Sequence, residues 1–152
     1  MEESINGSLG FTDCCREKLG LKKQDANIYS PLALAYLGDA VYELIIRSLV
    51  MNRGNMQVNK LNRRSSNLVK AKTQAELIRL LEEELTEEER AVFKRGRNAK
   101  SMTMAKNASV VDYRMATGLE ALTGYLYLTE QYERLLELIR HGLEKIGELE
   151  AE

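Results

Sequence analysis

Residues 30–52 read SPLALAYLGDAVYELIIRSLVMN, and this stretch decides the fold. Ser30 is a favoured N-cap because its hydroxyl accepts an N–H that has no partner within the first turn. Pro31 suits the first helical position, where its missing N–H costs no intrahelical bond. The run stays apolar on most of its sides as far as Asn52-Arg53-Gly54, which predicts a central, well-buried helix.

Toward the C-terminus, residues 57–84 predict two more helices, broken near Ser65-Ser66. Thr86-Glu87-Glu88-Glu89 has the pattern of a capping box ahead of AVFKRG, with Gly96 as the stop. Residues 97–111 are polar and read as a loop, and a second strongly apolar helix is expected from Tyr113 to Leu128. The last helix, from about Glu130, places Tyr132, Leu135, Leu136, Ile139, Leu143 and Ile146 on one stripe. Toward the N-terminus, Thr12 to Gly20 predicts a short helix within a partly loose extension, residues 1–26. No segment alternates as a strand does. The expected architecture is all-α, with six or seven helices and a single domain over residues 27–152.

Composition narrows the function. The chain has 152 residues, 44% of them hydrophobic and 30% charged, which excludes general disorder. Its longest uncharged run, Ala26 to Gly38, is shorter than the roughly 20 apolar residues a membrane span needs. The opening MEESINGSLGF carries two acids and no basic segment, so it does not read as a signal peptide. Cys14 and Cys15 are adjacent, imply no disulfide framework and favour a reducing cytoplasm. His141 stands alone, which argues against a zinc site and leaves one candidate for any His-based triad.

Two carboxylates stand in apolar surroundings. Asp39 lies inside LALAYLGDAVYELII beside Gly38, a residue that costs a helix interior about 1 kcal/mol relative to Ala. Close approach of a second helix accounts for such a glycine. An ionised Asp there must be ion-paired, at the helix surface or metal-bound. Glu120 lies in MATGLEALTGYLYL, and its neighbours three and four residues away are Ala116, Thr117, Thr123 and Gly124. That small-residue face suits tight helix packing, or a cation with its waters. If the two helices meet, Asp39 and Glu120 can share one Mg²⁺, a hard cation that prefers oxygen ligands.

The net charge of −1 points to no partner, but the charges are sorted along the chain. Arg47, Arg53, Lys60, Arg63, Arg64, Lys70, Lys72 and Arg79 are accompanied by one acid, Glu76. Lys94, Arg95, Arg97, Lys100, Lys106 and Arg114 are accompanied by Asp112 alone. Residues 82–90 hold six Glu and one Arg and read as a solvated face. The segment RGRNAK, Arg95 to Lys100, reads as a loop whose cations and N–H groups suit phosphate. Without interleaved aromatic residues it fits a duplex backbone better than stacked single strands. Arg95, Arg97, Lys100 and Lys106 are therefore the expected RNA-binding residues.

The segment Tyr36-Leu37-Gly38-Asp39-Ala40-Val41-Tyr42-Glu43 resembles the ribonuclease III signature, whose core is a Leu-Gly-Asp-Ala/Ser step on a buried helix. Thr117-Gly118-Leu119-Glu120-Ala121-Leu122-Thr123-Gly124 resembles that family's Asp-x-x-Glu-Ala-Leu-x-Gly helix. Order and separation agree, and the likeness runs from Ser30 to Ile146, with no sequence left for the double-stranded-RNA-binding domain that usually follows. The Arg-Gly-Arg-Asn-Ala segment and Tyr113-Arg114 match the short branch, Mini-ribonuclease III. The resemblance implies a ribonuclease III-like helical bundle and a cytoplasmic homodimer that cuts double-stranded RNA with Mg²⁺, leaving a 5′ phosphate and a 3′ hydroxyl. It further implies maturation of the 23S ribosomal RNA precursor, with Asp39 and Glu120 as catalytic metal ligands. Two further acids of the longer enzymes fall on Ala35 and Thr117. That departure leaves a second expectation, a non-catalytic RNA-binding or ribosome-assembly module on the same scaffold.

Overall fold

The computed structural model describes residues 10–100 and 109–150. Among these residues every regular element is helical, so the all-α expectation holds. The order is α1 (Phe11–Leu19), a 3-10 turn (Ala26–Ile28), α2 (Pro31–Asn52), α3 (Val58–Val69), α4 (Ala71–Leu81), a second 3-10 turn (Glu82–Glu84), α5 (Glu87–Asn98), α6 (Val110–Leu128) and α7 (Tyr132–Lys145).

The helix at the centre is α6 and not α2. Between Met115 and Leu126 every α6 residue except Glu120 is buried, because α2, α4, α5 and α7 all pack around it. Helix α2 buries only one face: Leu34, Ala35, Gly38, Tyr42, Ile46 and Val50. Its other face leaves Leu32, Tyr36, Leu44 and Met51 exposed, Tyr36 by 84%. Asp39 lies on the exposed side, so the expectation that it sits in an apolar interior does not hold for a single chain. A run that is apolar on most sides does not reveal which of those sides another helix covers.

Local signals place most helix ends. The Ser30 hydroxyl accepts the Ala33 N–H at 3.1 Å, and α2 begins there. Thr86 and Glu89 form the reciprocal capping box at the start of α5. The Ser109 hydroxyl accepts the Asp112 N–H and starts α6 three residues before the predicted Tyr113. Gly20 ends α1 with φ 67°, as expected, but the N-cap is Gly10. Thr12 lies inside the helix, its hydroxyl 2.8 Å from that of Tyr132.

Tertiary contacts decide three other features. Helix α3 runs straight through Ser65-Ser66 and breaks at Lys70, which is extended at φ −67° and ψ 153°. Three side chains take carbonyls of its last turn: Thr73 Oγ1 donates to Asn67 O at 2.6 Å, Tyr42 Oη to Leu68 O at 3.0 Å and Gln74 Nε2 to Val69 O at 2.8 Å. Gly96 does not stop α5, which continues to Asn98. A Cβ at Gly96 would stand 2.6 Å from Ala121 Cβ, so this glycine serves the close packing of α5 on α6. In α7, Leu138 is buried while the predicted Leu136 is 51% exposed.

The contact that orders the rest is between α2 and α6. A Cβ at Gly38 would lie 1.7 Å from the Glu120 carbonyl oxygen, and one at Gly124 would lie 2.1 Å from that of Leu34. The two main chains touch at this crossing.

Candidate active site

Asp39 follows Gly38 in α2, and the Glu120 carbonyl is the atom that Gly38 approaches. The crossing therefore brings the two acids together, which meets the condition that the sequence left open. Glu120 is half-buried between α2 and α4. Burial first, then the nearby Asp39 charge, pushes its carboxyl up to about 8, and a hydrogen bond with Asp39 acts in the same direction. The Gln74 amide opposes this, donating from Nε2 to Glu120 Oε2 at 3.3 Å. Among the described residues no cation is among the groups that shift Glu120. Beneath it, burial and then the Glu120 charge hold the Tyr42 phenol above its usual value.

The positions of the two missing acids are closed. Ala35 and Thr117 are buried, and the Thr117 hydroxyl donates to the Tyr113 carbonyl at 2.9 Å. Among the described residues no three or more His, Cys, Asp or Glu are placed to hold a metal ion together. The donor set is two carboxylates whose charges oppose each other, which suits a hard divalent cation that keeps several waters.

Arg95 and Arg97 lie in the last turn of α5 and not in a loop, and Lys100 follows two residues after its end. Arg95 and Lys100 are exposed. Arg97 is half-buried, with its guanidinium 5.6 Å from the Phe93 ring centre and its Nε donating to Asn98 Oδ1 at 3.1 Å. Gly96 packs on Thr117, Gly118 and Ala121, so the turn of α5 that carries Arg95 and Arg97 lies against the turn of α6 that carries Glu120. Lys106 lies outside the described residues. Gln74 is the site residue that sequence reasoning missed. Its signal was a polar residue on the apolar stripe Gln74, Leu77, Ile78 and Leu81.

The family model of the Ribonuclease III domain matches residues 32–131, and the chain belongs to the ribonuclease III family of endoribonucleases. Its similarities fall in the Mini-ribonuclease 3 branch. It is 55% identical over 119 residues to Mini-ribonuclease 3 of Enterococcus faecalis, covering 77% of this chain and 90% of that protein. The Thermoanaerobacter sp. protein of the same name is 43% identical over 148 residues, covering 97% of this chain and all of the relative. Among solved structures, protein FN1578 from Fusobacterium nucleatum superposes with a TM-score of 0.71 at 33% identity, covering 77% of this chain and 90% of that one.

Proposed function

We propose that this chain is a Mg²⁺-dependent endoribonuclease that cuts double-stranded RNA and matures the ends of the 23S ribosomal RNA precursor in the cytoplasm. The observation that carries the reading is the pairing of Asp39 and Glu120 across the α2–α6 crossing, with no cation of the described residues shifting Glu120. The 23S precursor is supported by likeness to the Mini-ribonuclease 3 proteins. No helix among the described residues is long and apolar enough to cross a membrane.

Asp39 and Glu120 would hold the ion. When bound, Mg²⁺ supplies Lewis acidity: it offsets charge on the scissile phosphate and activates water for hydrolysis. Asp39 is open to solvent and meets the substrate side, while Glu120 is held from behind by Gln74. Arg95, Arg97, Lys100 and Lys106 hold the phosphate backbone of the duplex. Cleavage leaves a 5′ phosphate and a 3′ hydroxyl.

The test is incubation of purified protein with a long RNA duplex, with and without Mg²⁺, followed by end analysis. Fragments with those ends, formed only with Mg²⁺, are expected. Salt-sensitive binding without any such fragments would favour a non-catalytic RNA-binding or ribosome-assembly module. The absence of a third clustered ligand among the described residues is the observation behind that second reading.

The active form is a homodimer. Leu32, Tyr36 and Leu44 recur at four- and eight-residue steps and form an uncovered apolar stripe on α2. Asp39 borders that stripe, so a second copy seated there would stand beside the acid pair. Tyr36→Glu puts a charge into the joint and is expected to give a monomer in sedimentation equilibrium. A dimer of unchanged affinity would place the contact elsewhere.

A further inference from the structure

Gln74 is 2% exposed, on the first turn of α4. Its Nε2 has two hydrogens and two acceptors, Val69 O at 2.8 Å and Glu120 Oε2 at 3.3 Å. The Val69 carbonyl fixes the orientation of the amide, because the flipped form would set Oε1 against another acceptor. In the fixed orientation Gln74 Oε1 is buried without a hydrogen-bond partner among the described residues. An unmet buried acceptor is a net burden on folding, and an apolar side chain of the same length would avoid it. A polar residue kept on the core stripe at that disadvantage points to work done by its N–H groups.

We infer that Gln74 is the positioning residue of the acid pair: its amide fastens Glu120 to the C-terminal end of α3, so that the carboxylate is aimed before an ion arrives. Asp39 fixes the reach from α2 through the glycine crossing, whereas the longer Glu120 side chain has more rotatable bonds and needs a second hold. Among the described residues no third acid joins the pair to make a metal-holding group, and Asp39 is the acid that acts on Glu120, so a neutral amide aims Glu120 without adding charge. The same residue ties the site to α3, which carries Lys60, Arg63 and Arg64.

The inference rests on the metal-site reading proposed above, and the experiment separates the two. Mn²⁺ binding to the whole protein is measured by electron paramagnetic resonance for wild type, Gln74→Met, Gln74→Asn and Thr73→Val, with a thermal melt of each. Met matches the length of Gln without its N–H groups, and Asn keeps the amide but cannot span both partners. Thr73→Val removes the neighbouring bond to Asn67 and leaves Glu120 untouched. Both Gln74 variants are expected to bind Mn²⁺ about tenfold more weakly, as loss of a group that orients a metal ligand does. Thr73→Val is expected to bind as wild type does. In the cleavage assay the Mg²⁺ concentration for half-maximal rate rises by the same factor, while KM for RNA stays unchanged. Wild-type binding with no weakening in either Gln74 variant, or equal weakening in Thr73→Val, overturns the positioning role alone. No Mn²⁺ uptake by wild type overturns the metal-site reading and this inference with it.

Discussion

Asp39→Asn is expected to slow cleavage of duplex RNA at saturating Mg²⁺ by on the order of 10³-fold, comparable to losing one preorganised charge-stabilising group from an active site. Asp39 is exposed, so the substitution disturbs little packing, and the melting temperature should change little. Wild-type rates from this variant would remove Asp39 from the site. Glu120→Gln is expected to lose activity to a similar degree, with a second, opposite effect on stability. The folded-state carboxyl is raised to about 8 from its ordinary 4.5. Between those values the unfolded chain has released its proton and the folded chain has kept it. The stabilising contribution is therefore complete below about 4.5 and is lost as pH climbs through about 8. Gln has no such loss. Without divalent ions, the melting temperature of Glu120→Gln relative to wild type should rise steadily from pH 5 to pH 8. A constant difference across that window would mean that burial and Asp39 do not burden Glu120.

Gly38→Ala carries the largest expected effect on folding. The added methyl would stand 1.7 Å from the Glu120 carbonyl oxygen, and main chain cannot rotate aside as a flexible side chain can. Helices α2 and α6 must separate, which opens voids along their shared face. A loss of about 3 kcal/mol or more is expected, in the upper range for overpacked cores. At roughly 2–4 °C per kcal/mol for a chain of this size, the melting temperature falls by about 10 °C. A fall of only a degree or two in a thermal melt would show that the crossing is looser than the structure has it.

What could be read from the sequence follows the range of the forces involved. The start of α2 at Ser30-Pro31 and the capping box at Thr86 are set by neighbours within four residues, and both were legible. The meeting of Asp39 and Glu120 was legible only in part: Gly38 in mid-helix implied a close helix, but not that it would be the one carrying Glu120. The break between α3 and α4 was not legible, because Tyr42 and Gln74 reach it from other helices. Gly96 misled because glycine serves a helix stop and a helix contact equally well. The burial of Asp39 misled because the apolar residues around it are divided between a covered face and an open one.

The clearance between Gly38 and the Glu120 carbonyl has one more consequence. The touching main chains fix how far apart the two helices stand, and only the side-chain rotamers of Asp39 and Glu120 are left to set the rest of the distance between the acids. If the proposed RNA contacts hold, substitutions in α3 or at the tip of α5 are expected to change RNA affinity while leaving the α2–α6 spacing intact.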